Sequence, residues 1–109
     1  MPKYIKFASK LVPLILSGEK TATWRLWDDK DLREGDELVF LESGQAKPFA
    51  RAVIATVAAK TFGRLASEDK FGHEDYASDE EMYETYSGYY GKPVDQNTPI
   101  KIIRFTVHK

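Results

Sequence analysis

The stretch that decides the fold is GEKTATWR, residues 18–25, which joins a short apolar run to a predicted strand. Its glycine is predicted to end a helix, because glycine readily adopts the left-handed backbone conformation found after a helix C-terminus. Side chains alternate along the strand that follows, so we expect Trp24 to anchor that strand in a core. Lys20 lies in the turn before the strand, from which its ammonium can reach the opposite, polar side.

The polar side of this strand carries two hydroxyls and a guanidinium, from Thr21, Thr23 and Arg25. Together with the Lys20 ammonium, these groups predict a site for an anionic or highly polar ligand. The alternative is a solvated edge strand with ordinary surface residues. Trp27 follows in a polar loop, and we expect it to stack on a ligand, because a large aromatic side chain has little other reason to be exposed there.

Length and composition indicate one domain that spans residues 1–109. The chain is 42% hydrophobic and 13% aromatic, which is ordinary for a globular domain with a single modest core. Its formal net charge is -1, so no broad basic field attracts it to nucleic acid.

The chain has no cysteine, which excludes a disulfide scaffold, a thiolate metal site and a cysteine nucleophile. This composition fits a reducing cytoplasm, where we expect the protein to act. No apolar run approaches the roughly 20 residues that a membrane helix needs, so we expect no membrane partner. His73 and His108 form no metal-binding motif and no glycine-rich phosphate loop occurs, so we expect neither a metal nor another cofactor.

The pattern along the rest of the chain predicts an α+β fold. Ser78 and Glu81 form a capping box at the start of a helix that Gly91 ends. The other predicted elements are a short helix at 9–17 and strands at 4–8, 21–26, 37–42, 50–60 and 100–107. This order favours a small β-barrel, mixed and mostly antiparallel, with short flanking helices.

Lys20, Thr23 and Glu74 are the candidate catalytic residues. A threonine hydroxyl is a poor nucleophile unless a base accepts its proton. A lysine can be that base if burial or a neighbouring cation, here Arg25, favours its neutral form. Glu74 lies in an irregular connector and would hold an amide or relay a proton; the alternative is an exposed acid in an acidic loop. His73 beside it is expected to be an exposed loop residue.

Four tyrosines near the end of the chain fall close to one stripe of the second helix. They could stack on nucleobases, but at helical spacing they more often pack in a core with their hydroxyls at its rim. We therefore predict packing for Tyr86 and Tyr89.

The sequence resembles the ASCH family, whose domains have a PUA-like β-barrel. The shared signature G-x-K-x-x-[E/T]-x-R is present as Gly18, Lys20, Thr23 and Arg25. The short helix before it, the strand entry at residues 35–36 and the Ser-x-x-Glu helix follow in the family's order. The resemblance spans nearly the whole chain and implies a single ASCH domain with a PUA-like fold.

Many ASCH proteins carry glutamate where this chain has Thr23, and the threonine form resembles the bacterial N(4)-acetylcytidine amidohydrolase branch. By that resemblance, Thr23 would attack the acetyl carbonyl and Lys20 would accept the hydroxyl proton. Glu74 would help to handle the exocyclic nitrogen. Thr21, Arg25 and Trp27 are the predicted substrate-binding residues.

Three functions follow as hypotheses. The first is a small amidohydrolase that acts on N(4)-acylated cytidine or a related modified nucleoside. The second is an RNA-binding module or ribonuclease that uses the same basic cleft. The third is a ligand-sensing or interaction domain without chemistry. The expected partner is thus a modified nucleoside or RNA, and the oligomeric state is left open.

Overall fold

The computed structural model describes residues 2–27, 30–73 and 75–108. Within these ranges the chain forms five strands and two α-helices. In chain order they are β1 (Lys3–Phe7), α1 (Val12–Ser17), β2 (Ala22–Arg25), β3 (Glu37–Glu42), β4 (Pro48–Thr61), α2 (Asp79–Tyr90) and β5 (Pro99–Val107). Short 3₁₀ turns at Ser9–Leu11, Phe62–Arg64 and Ser67–Lys70 complete the described elements.

The five strands form one sheet in the order β1-β3-β4-β5-β2. The β1–β3 pair is parallel, whereas the other three pairs are antiparallel. The sheet curls into a half-barrel, flanked by the two helices. The prediction of an α+β fold on a curled, mixed and mostly antiparallel sheet is therefore confirmed.

The long strand β4 explains the curl. Its first half pairs with β3 and most of its length pairs with β5, and the β4–β5 register shifts between Ile54 and Thr56. Such an irregularity bends a strand and increases its twist, because one strand carries an extra residue at that point. A bent β4 turns the two outer strands of the sheet, β1 and β2, toward each other.

Two apolar clusters hold the structure together. Buried residues of β1, α1, β3 and the first half of β4 form the larger one, which includes Phe40. Residues of β2, α2 and β5 form the smaller one, which includes Trp24 and Tyr86. Alternation along β5 serves both clusters, because Ile103 faces the first and Ile102 faces the second. Trp24 therefore anchors β2 between the sheet and α2, as the sequence predicted.

The predicted helix boundaries around the signature stretch and at α2 are confirmed. Gly18 has φ 87° and its N–H donates to the Ile15 carbonyl, which ends α1. The Ser78 hydroxyl accepts a hydrogen bond of 3.1 Å from the Glu81 N–H, which caps the start of α2.

Candidate active site

A cavity of about 270 Å³ lies where the two outer strands of the sheet approach α2. It is lined by residues of both strands, of the segments next to them and of the helix. Its charged and hydroxyl-bearing aliphatic side chains are those of Lys6, Lys20, Thr23, Arg25 and Ser43, and its aromatic ones those of Phe7, Trp24, Tyr86, Tyr89 and Tyr90. The cavity therefore combines cationic groups with aromatic walls.

Lys20 lines this cavity and is buried. Its exposed fraction is 3%, and its Nζ donates a hydrogen bond of 2.8 Å to the carbonyl of Ala22. Its backbone N–H donates to the Leu14 carbonyl at 2.9 Å, which ties the turn back to α1. The ammonium is thus held beside the first residues of β2 instead of extending into solvent.

Thr23 and Arg25 reach the same cavity from alternate positions of β2. Thr23 is 7% exposed and pairs with Ile103 of β5. Arg25 is partly buried, and its Nε is buried without a hydrogen-bond partner among the described residues. The structure therefore brings together three of the residues predicted from the signature: Lys20, Thr23 and Arg25.

The connector that precedes Glu74 is fixed to the start of β2 by backbone hydrogen bonds. The carbonyl of Gly72 accepts from the N–H groups of Thr21, at 2.8 Å, and Ala22, at 3.1 Å. Gly72 has φ 77°, and a Cβ added there would lie 2.0 Å from the Thr21 hydroxyl oxygen, so only glycine fits. Glu74 itself lies outside the described residues.

Thr21 and Trp27, two of the predicted substrate-binding residues, do not line the cavity. Thr21 lines a separate groove with Phe71 and Arg104, because its backbone is held by Gly72. Trp27 stands beside the cavity with 46% of its surface exposed, and its ring meets the ring of Tyr90 edge to face at 5.6 Å.

The prediction that His73 is an exposed loop residue is wrong. His73 is 8% exposed, and its ring stacks on that of Trp24 with 3.8 Å between the centroids. Its Nε2 lies 3.0 Å from the Tyr86 hydroxyl oxygen. The aromatic stack buries the imidazole, and no local sequence signal marks it, because Trp24 is distant in the chain.

Among the tyrosines, Tyr86 is 4% exposed and packs in the core as predicted. Tyr89 is 52% exposed and lines the cavity, so the packing prediction is wrong for this residue. Sequence reasoning also missed Lys6 as a cavity residue. Alternation in β1 was the available signal, since buried Ile5 and Phe7 place Lys6 on the other face.

In the parts of the chain that the structure describes, no group of three or more histidine, aspartate or glutamate side chains could hold a metal ion. None of the described helices is both long and apolar enough to cross a membrane.

No family model matches the sequence, and no curated protein matches it. Solved structures do match. A protein from Enterococcus faecalis V583, described with the family DUF984, shares 21% identity over 98% of this chain and 80% of its own, with a TM-score of 0.77. The ASCH domain from Lactobacillus crispatus JV V101 shares 16% identity over 96% of this chain and 79% of its own, with a TM-score of 0.71.

The chain has the ASCH-domain fold. A second ASCH structure, from Zymomonas mobilis, agrees, with 13% identity over 97% of this chain and 67% of its own and a TM-score of 0.69. Identities this low show the fold alone. The reaction and the ligand of this ASCH-fold protein are therefore argued from its own residues.

Proposed function

We propose that this protein is a small amidohydrolase that removes the acyl group from N(4)-acylated cytidine or a related modified nucleoside. The observation that carries the proposal is the meeting of a buried lysine, Lys20, and a threonine hydroxyl, that of Thr23, in one cavity with aromatic walls.

In the proposed reaction the Thr23 hydroxyl oxygen attacks the acyl carbonyl carbon, and neutral Lys20 takes the hydroxyl proton. The tetrahedral intermediate collapses as the carbon–nitrogen bond breaks. The exocyclic nitrogen leaves with the proton that Lys20 had accepted, passed directly or through Glu74, which returns Lys20 to its neutral form. Water then cleaves the acyl-threonine ester, which releases a carboxylic acid and restores the hydroxyl. The attack requires the neutral form of the lysine, and burial of a lysine favours that form over the charged one.

The aromatic walls suit the nucleobase part of the substrate. Tyr89 is exposed at the cavity and meets the buried ring of Tyr86 edge to face at 5.6 Å. Aromatic rings bind planar bases by stacking without strong sequence preference. A nucleobase stacked there would extend its exocyclic group toward the hydroxyl of Thr23.

Glu74 is the proposed third catalytic residue, which would hold the exocyclic nitrogen or deliver its proton. The support comes from its neighbours in the chain. Gly72 accepts hydrogen bonds from the start of β2, and His73 stacks on Trp24 of the same strand. The residues directly before Glu74 therefore lie against the strand that carries Thr23.

The proposal is tested by incubating the purified protein with N(4)-acetylcytidine and measuring cytidine and acetate by chromatography. We expect turnover by the intact protein, its loss in Lys20→Ala and Thr23→Ala, and partial activity in Thr23→Ser, which keeps a nucleophilic hydroxyl. Thr106→Ala, at an exposed threonine of β5 outside the cavity, is the matched control and should retain activity. No turnover by the intact protein, or full turnover by Lys20→Ala, would reject the mechanism.

The Glu74→Gln variant tests the proposed role of Glu74 at the exocyclic nitrogen. Asp75→Asn, at the exposed neighbouring residue, is its control. We expect kcat to fall in Glu74→Gln only. Equal activity of the two variants would remove Glu74 from the mechanism and leave the lysine–threonine pair.

The second candidate function is an RNA-binding module or ribonuclease that uses the same cleft. It is favoured by exposed Trp27, over whose ring the Lys92 Nζ lies 4.7 Å from the centroid. Such a pair suits stacking on a base next to a phosphate. Binding to a labelled single-stranded RNA should then weaken log-linearly with salt concentration and be reduced in Trp27→Ala.

A further inference from the structure

Two cations that line the cavity have no hydrogen-bond or ion-pair partner among the residues that the structure describes. Lys6, on β1, forms no hydrogen bond or ion pair with any described residue. Across the cavity, Arg25 of β2 also lacks such a partner, and its Nε is a buried donor. A buried donor left unpaired costs about 1–3 kcal/mol, so its retention points to a ligand acceptor that pairs with it.

The lining is also strongly biased in charge. Its described residues include two cations, Lys6 and Arg25, besides the proposed base Lys20, and no carboxylate. The whole chain, in contrast, has 17 acidic residues against 16 lysines and arginines. Even with the proposed Glu74 carboxylate, Lys6 and Arg25 would leave an excess of positive charge, which attracts anionic ligands.

The three basic residues of the lining have different surroundings, which separates their roles. Lys20 is buried and donates to a backbone carbonyl, which suits a residue that works on the scissile bond. Lys6 is exposed at the cavity. Arg25 is the last residue of β2 and lies two positions after Thr23. The guanidinium offers a planar fork of donors that matches phosphate oxygens, and an ammonium adds a point charge.

We propose that Lys6 and Arg25 bind a phosphate group on the substrate, so that the preferred ligand is a modified cytidine 5′-monophosphate instead of the neutral nucleoside. The nucleoside half of this assignment rests on the proposed function. The cavity, at about 270 Å³, lies just below the roughly 300–1,000 Å³ found for small-molecule pockets. It therefore suits one nucleotide and not a strand segment.

Calorimetric binding of unmodified ligands tests the assignment without requiring turnover. Cytidine, cytidine 5′-monophosphate and the dinucleotide CpC are titrated into the intact protein. We expect the monophosphate to bind about tenfold or more tightly than cytidine, as charge-assisted contacts to a phosphate provide. Equal affinity for cytidine and its monophosphate overturns the proposal. Tighter binding of CpC than of the monophosphate also overturns it, in favour of RNA as the source of the phosphate.

Variants at Lys6 and Arg25 test whether these two residues bind the phosphate. Lys6→Ala and Arg25→Gln should each reduce the monophosphate-to-cytidine affinity ratio toward one. Lys10→Ala, at an exposed lysine close to Lys6 but outside the lining, should keep the full ratio. A ratio unchanged in Lys6→Ala contradicts the proposal, and because Lys6 is exposed, this variant does not depend on refolding of the core.

Failure of this inference is distinguishable from failure of the proposed function. Turnover of N(4)-acetylcytidine that is not improved by a 5′-phosphate leaves the amidohydrolase intact and removes the phosphate site. A strong preference for the monophosphate in binding, without turnover of either acetylated ligand, keeps the phosphate site and rejects the hydrolase.

Discussion

The imidazole of His73 lies flat on the indole of Trp24, with their centroids 3.8 Å apart and their planes 11° apart. The same imidazole meets the Tyr86 hydroxyl at 3.0 Å. This one side chain therefore joins the connector before Glu74 to the strand that carries Thr23 and to α2. The walls of the cavity depend on this junction, because Trp24 and Tyr86 both line it.

Truncation of this junction should destabilise the protein. His73→Ala removes the ring stack and leaves the Tyr86 hydroxyl without this partner, so we expect a loss of about 2 kcal/mol in the free energy of unfolding. His73→Phe keeps a ring on Trp24 and loses the hydrogen bond to Tyr86, so its loss in the free energy of unfolding should be smaller. Urea denaturation followed by tryptophan fluorescence measures both. A stability of His73→Ala equal to that of the intact protein would contradict the role of the stack.

The contact between Gly72 and Thr21 should be intolerant of any side chain. In Gly72→Ala the new methyl would lie 2.0 Å from the Thr21 hydroxyl oxygen, so either the Thr21 side chain must rotate or the connector must move away from β2. Gly44→Ala is the matched control, because Gly44 has φ 83° and open space around it. Both variants suffer the backbone strain of about 1 kcal/mol, and Gly72→Ala should lose clearly more. Equal losses in thermal denaturation would show that the steric contact does not matter.

Two glycines at the end of α2 should respond to alanine with opposite signs. Gly88 is helical and open to solvent, so Gly88→Ala should stabilise the protein by roughly 0.5–1 kcal/mol through its higher helix propensity. Gly91 has φ 66°, so Gly91→Ala should destabilise it. Differential scanning calorimetry distinguishes the two signs. A lower melting temperature for Gly88→Ala would indicate that helix propensity does not limit stability at this position.

Asp69 should contribute to the loss of folding stability at acidic pH. Burial raises the pKa of its carboxyl, but the Lys60 ammonium at 2.5 Å and the Ala66 N–H outweigh burial and hold that pKa below its ordinary value of 3.8. The carboxylate therefore stabilises the fold fully at pH values above its ordinary pKa of 3.8, and this contribution is lost as the pH falls through the lowered pKa. Stability measured from pH 6 to pH 2 should fall less steeply in Asp69→Asn than in the intact protein. Glu84→Gln, at an exposed glutamate of α2, should leave the slope unchanged.

Local patterns in the sequence predicted most of the elements. The Gly18 helix end, the Ser78 cap and the alternation around Trp24 depend on residues close in the chain, so backbone preferences suffice to specify them. The curled sheet also followed from the order of the predicted elements.

The composition of the cavity required the tertiary structure. Lys6 on β1 and Arg25 on β2 belong to opposite ends of the sheet order, and they line one cavity because the bent sheet brings its two outer strands together. His73 is buried for a related reason, since Trp24 lies far from it in sequence and meets it only after folding. Sequence by itself thus determined the turn that carries Lys20 and the strand that carries Thr23. Only the closure of the sheet and the packing of α2 decided which other side chains face them, because contacts between distant residues depend on how whole elements pack.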